Sequence, residues 1–419
     1  MTQAVPRLSY DQISISALKV ISRLKSGGFQ AYLVGGCVRD LLLGKQPKDY
    51  DVATDAHPED VRGLFRNARL IGKRFQIVHV RFGHEIVEVA TFRAPHSPVT
   101  HGESHSEGGM ILSDNVFGNF EQDVFRRDFT MNALYYDPET DTLHDLVDGH
   151  ADIEAGRIRL IGEPDSRYRE DPVRMLRAIR FQASLNFEVE EATGEPMHRL
   201  GFLLQDIPAA RMFEEILKLF MTGHGERTFE QLMAYELFPW MFPDTRRVMD
   251  ATPAKALIRL ALASTDHRIA NDMPVTPAFI FAALLWYPFV EEKRLLEKQG
   301  MPGTLASLEA EGNIIARQQI FISIPRRFSG IMRDMWNLQF RLPIRHGRRA
   351  DTLLAHKRFR AAYDFLLLRE EAGEDLDGLG GWWTQYQACD AEDRRRMVRE
   401  LPGGGKRRKK RRKKNADRH

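Results

Sequence analysis

The stretch LVGGCVRDLLLGKQPKDYDV, Leu33 to Val52, constrains the fold of this chain more than any other. It reads as a strand, a glycine turn, a short helix and a second strand, so the chain must build a layer in which strands and helices alternate. Two aspartates, Asp49 and Asp51, stand in the second strand, where a covered sheet favours apolar residues. Side chains two apart on a strand share a face, which puts the carboxylates together at a Cα separation of about 7 Å. Like charges that close raise each other's pKa unless a cation sits between them, and a divalent metal is the simplest compensation. An isolated Asp-x-Asp is more simply two exposed acids on an edge strand or turn, so the surroundings must decide.

Upstream, Gly35 and Gly36 let the backbone approach a ligand and open a helix, an anion-binding arrangement, with Arg39 one turn further on. Downstream, Glu88 interrupts EIVEVATF, with Ile86 and Ala90 on its own face and Val87 and Val89 on the other. A carboxylate buried there must be paired or metal-bound. Three strand-borne acids converging on two ions is the arrangement of two-metal phosphoryl transfer.

Around this core, Ile13, Leu18, Ile21 and Leu24 fit one helix face ending at Gly27-Gly28, a helix opens at Pro58, and strands fall around QIVHVRF and EIVEVATF. The mixed α/β layer ends near residue 160. Residues 93–119, rich in His, Ser and Gly, form an overlong connection, and His96, His101 and His105 lack zinc-like spacing. From Pro164 onward helical periodicity takes over, broken near Pro208, Gly223 to Gly225, Pro243, Pro253 and Pro302, with no fixed-period repeat. The expected organisation is a head over 1–160, a helical neck over 161–225, a helical body over 226–401 and a tail over 402–419.

Charge is uneven along the chain. The formal net charge is +3, yet Lys406, Arg407, Arg408, Lys409, Lys410, Arg411, Arg412, Lys413 and Lys414 form an unbroken basic run. With nothing apolar to bury, the tail is expected to be disordered and free to meet an anionic surface; a solubilising end is the plainer role, and nucleic acid the commoner partner. No stretch approaches the ~20 apolar residues of a membrane helix, and MTQAVPRLSYDQ lacks the apolar core of a signal peptide, so a cytoplasmic location is expected. Cys37 and Cys389 lie far apart without metal-ligand spacing and are expected to be inert.

In REDPVRMLRAIRF, Arg169 to Phe181, Asp171 suits a helix cap and Pro172 the first turn, which leaves Arg174, Arg177 and Arg180 unexplained on one side of the helix. LVGGCVRD, the acids of KDYDV and RRDFTMNAL, Arg126 to Leu134, together resemble the head motifs of class II nucleotidyltransferases, the bacterial poly(A) polymerases and tRNA CCA-adding enzymes. The resemblance implies an α/β nucleotidyltransferase head, a mixed sheet with helices, followed by all-α neck and body domains and a disordered basic tail. It implies that Asp49 and Asp51 bind two Mg2+ ions, which Mn2+ could replace, that Glu88 is the third acid, and that Asp128 is in the active site on the nucleotide ribose. Arg126 and Arg127 would face the phosphates beside Gly35, Gly36 and Arg39. Glu170, Asp171 and Arg174, with Arg177, match the motif that reads the Watson-Crick edge of the base.

A carboxylate accepting from an exocyclic amino group while a guanidinium donates to the adjacent ring nitrogen suits adenine and cytosine alike. LIGKRFQIVHV, Leu70 to Val80, resembles the segment that marks poly(A) polymerases, and the basic run suits an enzyme that holds many RNA ends. HGRRADTLLAHKRFRAAYDFLLLR, His346 to Arg369, reads as a basic amphipathic helix pair, and Trp382-Trp383 as a core aromatic pair or an RNA-stacking one. The expected function is template-independent polyadenylation of RNA 3′ ends from ATP with release of pyrophosphate, with RNA-decay proteins as unnamed partners. CCA addition to tRNA and a non-catalytic RNA-binding scaffold are the alternatives; no metal acid is missing, which disfavours the scaffold.

Overall fold

A computed structural model describes residue 8 and residues 10–72, 76–94 and 116–402. The basic run at 406–414, the histidines of the long connection and residues 73–75 of the poly(A)-type segment therefore lie outside the described residues. The chain divides into two compact units after Leu204.

The first unit is built on a seven-stranded sheet. Its elements are α1 (Ile15–Ser26), β1 (Ala31–Val34), α2 (Gly36–Leu42), β2 (Tyr50–Thr54), α3 (Pro58–Leu64), β3 (Ala68–Ile71), β4 (Ile77–Phe82), β5 (Glu85–Thr91), α4 (Phe120–Arg126), β6 (Tyr135–Asp137), β7 (Thr142–His144), α5 (Gly149–Glu154), β8 (Arg157–Ile158), α6 (Pro164–Glu170), α7 (Val173–Leu185), β9 (Glu188–Val189) and α8 (Glu191–Leu200). The sheet order is β3-β4-β5-β2-β1-β6-β7, and β2 with β5 is its parallel pair. Ser14 caps α1 by accepting from the Ser16 and Ala17 amides at 3.1 and 3.4 Å, and Ala17, Val20, Ile21 and Leu24 are its buried face.

Helices α1 and α3 pack on β1 to β5, where alternate residues Val52, Val78, Val80, Val87 and Val89 are at most 1% exposed. Period-two alternation sends Asp51, His79 and Glu88 to the opposite face. Two expectations are corrected here. β2 starts at Tyr50, so Asp49 lies in the bend before it, exposed to solvent rather than on the strand. Glu88 is not buried: its side chain is 45% exposed.

The second unit is helical: α9 (Ala209–Phe220), α10 (Gly225–Ala234), α11 (Phe238–Met241), α12 (Pro243–Met249), α13 (Ala254–Ala270), α14 (Pro277–Lys298), α15 (Gly303–Phe321), α16 (Arg326–Arg341), α17 (Arg349–Leu354), α18 (Phe359–Glu371), α19 (Leu379–Ala388) and α20 (Ala391–Glu400). Its axis is α14, buried from Ile280 to Phe289 and packed by α12, α13, α15 and α16. Trp336 stacks on Phe289 at 4.6 Å and donates its indole N–H to the Ala282 carbonyl at 3.1 Å. Trp383 is a core residue, donating to the Leu342 carbonyl, while the partly buried Trp382 lies under Arg345. No described helix is long and apolar enough to cross a membrane. Both cysteines are free, and burial pushes the Cys37 thiol up to about 12, as its inertness requires.

A glycine and a glutamate mark where these units are most constrained. A Cβ on Gly149 would fall 2.2 Å from the Thr130 carbonyl oxygen, whereas one on Gly63 in α3 meets nothing within 4 Å. Gly149→Ala should destabilise the first unit by about 1–3 kcal/mol through overpacking, and Gly63→Ala should stabilise it by up to about 1 kcal/mol; urea unfolding followed by circular dichroism reads both. In the second unit Glu311 is 2% exposed, and burial raises its carboxyl to about 7 against Arg333 and Asn337. A folded-state pKa raised above the unfolded value means stability falls as pH rises from about 4.5 to 7. Glu311→Gln should therefore stabilise the protein by about 2–3 kcal/mol at pH 8 and by almost nothing at pH 4, measured by denaturant midpoint.

Candidate active site

The site forms where the glycine turn, the acid-bearing strands and the segment after α4 meet. Gly35 has φ 79°, a left-handed conformation that glycine supplies without strain, and it caps α2. A Cβ there would lie 3.6 Å from Arg127 Nη1 and 3.9 Å from Asp51 Oδ2, so a cation and an acid both close in on the turn. Asp51 pairs in register with Glu88 on the adjacent parallel strand, and Glu88 in turn pairs with His79, whose Nε2 comes within 3.2 Å of Glu88 Oε1. Burial and the neighbouring Glu88 push the Asp51 carboxyl up to about 6; Arg127 opposes this and Asp49 adds to it. Asp49 is thus close enough to act on Asp51 electrostatically even though it stands off the strand.

No three His, Cys, Asp or Glu side chains converge as a closed metal cage among the described residues. An open magnesium site needs no such cage, since that ion is commonly held by one or two carboxylates together with waters and substrate phosphates. The in-register pair Asp51 and Glu88, its hard oxygen donors and the accumulated negative charge that raises Asp51 fit such an ion.

Facing the acids is a cluster of arginines. Arg127 donates from Nε to the Tyr135 hydroxyl at 2.7 Å and from Nη2 to Asp123 at 3.1 Å, contacts that keep it fully charged despite burial. Arg126 is less balanced: burial, with Arg93 and Arg127 alongside, pulls it down to about 9. Asp123, 3% exposed, holds the cluster by accepting from Arg127, the Tyr135 hydroxyl and the Arg93 amide. Neither Asp123 nor Tyr135 was marked by the sequence, although their spacing across α4 to β6 could be read only as helix and strand polarity.

A second network ties the sheet to α7. Asp128 accepts from Arg177 Nε at 2.5 Å, from the Phe129 amide at 2.8 Å and from Asn132 Nδ2 at 3.4 Å. Burial pushes its carboxyl up, but Arg177 and the Phe129 amide outweigh this and hold it at about 2. Asn132 also accepts from Arg39 Nη1 at 2.7 Å, and Arg39 Nε and Nη2 reach Asp40. Arg39 is therefore turned inward, 8% exposed, beside the Phe181 ring that Arg177 and Arg180 also flank.

Asp171 caps as expected, with a shift: α7 starts at Val173, whose amide reaches Asp171 Oδ1 at 3.3 Å, and Arg169 and Glu170 end a separate helix, α6. Glu170 Oε2 accepts from Arg167 at 2.7 Å and Arg174 Nη1 at 2.8 Å. Arg167 in turn donates to the Arg126 and Arg127 carbonyls, both at 2.6 Å. The structure thus brings Gly35, Asp51, Glu88 and Arg127 together, and Asp128, Arg177 and Arg39 into one network.

This fold, a mixed sheet carrying paired acids opposite clustered arginines, is that of a nucleotidyltransferase head. Residues 31–159 match the family model described as "Poly A polymerase head domain", 186–249 "Probable RNA and SrmB- binding site of polymerase A", and 299–417 "Polymerase A arginine-rich C-terminus". The chain is 47% identical over 403 residues to poly(A) polymerase I of Salmonella typhimurium, covering 94% of this chain and 87% of that one. Against poly(A) polymerase I of Haemophilus influenzae the identity is 44%, with 94% and 89% covered. A CCA-adding enzyme of Lactobacillus helveticus is 36% identical over 54% of each chain. Among solved structures, the Bacillus stearothermophilus CCA-adding enzyme in complex with CTP aligns at TM-score 0.59 and 27% identity, over 92% of this chain and 82% of that one. The chain belongs to the bacterial poly(A) polymerase I family.

The Asp128 to Arg177 contact has a direct test. Arg177→Met leaves a buried carboxylate without its counter-charge, which costs about 3 kcal/mol at neutral pH. Because the stability from a depressed carboxyl pKa is fully present above the ordinary value of 3.8 and is lost as pH falls toward about 2, while protonation of Asp128 relieves the unpaired charge in the variant, the deficit should narrow as pH falls toward about 3. Urea unfolding between pH 3 and 7 measures both effects.

Proposed function

We propose that the chain adds AMP from ATP to RNA 3′ ends without a template, at a site built from Asp49, Asp51, Glu88 and the facing arginines. Polyadenylation itself follows from the family, whose members cover almost the whole chain, while CCA-adding relatives match only about half of it. The observation that carries the site is the in-register pair Asp51 and Glu88, with Arg127 and Asp51 both close to the Gly35 turn. The head over 1–160 then performs the transfer, the neck over 161–225 reads the base and the body over 226–401 holds RNA.

In this reading the RNA 3′-hydroxyl attacks the α-phosphorus of ATP, the new phosphodiester forms, and the bond to pyrophosphate breaks. Asp49, Asp51 and Glu88 hold Mg2+, two ions in the full reading, which when bound lower the pKa of the hydroxyl and neutralise the departing phosphates. Arg127, kept charged and oriented by Tyr135 and Asp123, and Arg126 beside it draw the triphosphate into line. Asp128, ionised by Arg177, accepts from the ribose hydroxyls. Arg174 keeps Nε and Nη2 unbonded among the described residues while Glu170 fixes its Nη1, leaving donors for the ring nitrogen of adenine as Asp171 accepts from the amino group.

Asp51→Asn should lower the rate of nucleotide addition by at least about 1,000-fold, the scale expected for loss of a ligand in ion-assisted transfer, with RNA affinity almost unchanged and the unfolding midpoint raised at neutral pH, since it removes a carboxylate that burial and Glu88 destabilise. The measurement is extension of a generic RNA supplied with each NTP separately, followed by product sequencing. Near-normal extension by the variant would remove Asp51 from the site, and CCA ends in place of A-runs would reverse the choice of product.

A further inference from the structure

The sheet of the first unit has a second charged surface, on the face away from the acids. Helix α1 carries Lys19, Ser22, Arg23 and Ser26 at i, i+3, i+4 and i+7, one exposed stripe. Opposite this stripe the end of α3 and the turn after it supply Leu64, Phe65, Arg66 and Asn67, and β4 supplies Phe82; together they enclose a groove of about 760 Å³. Its side chains are cationic or polar at the rim and apolar at the floor, and no acid lines it.

The three cations are available. None of Lys19, Arg23 and Arg66 makes an ion pair among the described residues, and the contact that Arg23 does make is with the Phe65 ring, 5.6 Å from its centroid. Elsewhere in this unit comparable cations are taken: Lys25, on the same helix, pairs with Asp137 and Glu139, and Arg199 pairs with Asp165. A concave stripe of unpaired cations over an apolar floor, with hydroxyl and amide donors between, matches a chain with regularly spaced negative charges and flat apolar faces. Single-stranded nucleic acid has that chemistry; an acidic peptide has the charge without the flat faces.

We propose that this groove binds the single-stranded RNA upstream of its 3′ end, so that the head holds its substrate on both faces of one sheet. The assignment rests on RNA being the substrate of the acid-bearing face. It adds a sequence-independent contact that leaves the reacting end untouched, since Lys19, Arg23 and Arg66 lie on the far side of β2 and β5 from Asp51 and Glu88.

The test compares the full chain with a Lys19→Gln, Arg23→Gln, Arg66→Gln variant on RNAs of about 6 and about 30 nucleotides. All three residues are solvent-exposed, and an unchanged thermal midpoint confirms that the variant folds. Three lost phosphate contacts flatten the log–log salt slope of 30-mer binding by about 2, so KM for the 30-mer should rise roughly tenfold at low salt while kcat and the 6-mer KM stay unchanged. In the unsubstituted protein, a photoreactive base placed well upstream of the 3′ end should crosslink to peptides containing Phe65 or Phe82. An unchanged 30-mer KM and slope, equal weakening of both RNAs, or crosslinks confined to other peptides would each overturn the proposal. So would loss of polyglutamate binding with RNA binding intact, which would give the groove to an acidic peptide. If the unsubstituted protein extended neither RNA, the polyadenylation reading would itself fall, whereas normal 6-mer extension without any length-dependent change removes the groove alone.

Discussion

The contact between Asp128 and Arg177 is the constraint on which the geometry of the first unit turns. It joins the segment after α4, which belongs to the sheet, to α7, which does not, through a carboxylate with an exposed fraction of only 13%. Burying an ion pair rarely adds much net stability, because desolvation offsets the attraction unless every remaining lone pair is met. Here the Phe129 amide and Asn132 meet them, and Asn132 passes the connection on to Arg39 and Asp40 in α2. The result is a chain of directional bonds from the glycine-turn helix to the helix that bears Arg174. Such a chain fixes orientation more than it adds stability, and orientation is what a site for one nucleotide requires.

The same economy of charge governs the two sides of the site. Burial and the neighbouring Glu88 and Asp49 outweigh Arg127, so the Asp51 carboxyl is pushed up rather than held down. Arg126 has Arg93 and Arg127 on its side and is pulled down toward 9. Each half is therefore unbalanced in the sense opposite to the other, with Asp123 holding the arginines in place by accepting from Arg127 and the Arg93 amide. In the proposed reading a metal nucleotide, positive beside the acids and negative beside the arginines, relieves both imbalances at once.

Much of this was legible in the sequence, for identifiable reasons. The glycine turn, the alternation of β4 and β5 and the breaks at Pro208, Pro243, Pro253 and Pro302 are local signals, and the elements they predict are present. Asp51 and Glu88 were legible because a charge inside an apolar alternation stands out. Their burial was not, because exposure depends on what packs over the opposite face: α1 and α3 cover the valines, while the Glu88 side chain stays 45% exposed. Asn132, 93 residues from Arg39, and Tyr135, 12 residues from Asp123, became visible only when the sheet brought them together. Helix α6 was missed because the Asp-Pro step that starts α7 reads as one helix start, while the same residues also end the preceding helix.

Base choice is the property that the acid-bearing strands are least suited to supply. Phosphates and ribose are the same in every ribonucleotide, so in the proposed reading contacts from Asp51, Arg127 and Asp128 bind all of them alike, and discrimination must come from a group held beyond the sugar. In the proposed reading that group is Arg174. A free arginine could rotate to meet an acceptor on any base, and its selectivity would be small. Glu170 and the Arg167 carbonyl both take Nη1, leaving the guanidinium one orientation and the N–H donors of Nε and Nη2. Arg167 anchors Glu170 in turn through the end of α4. A donor with one orientation rejects a base that presents a donor at the same place, because the mismatch leaves two buried N–H groups facing each other with no acceptor between them. The selectivity proposed for Arg174 thus depends on residues that touch no nucleotide.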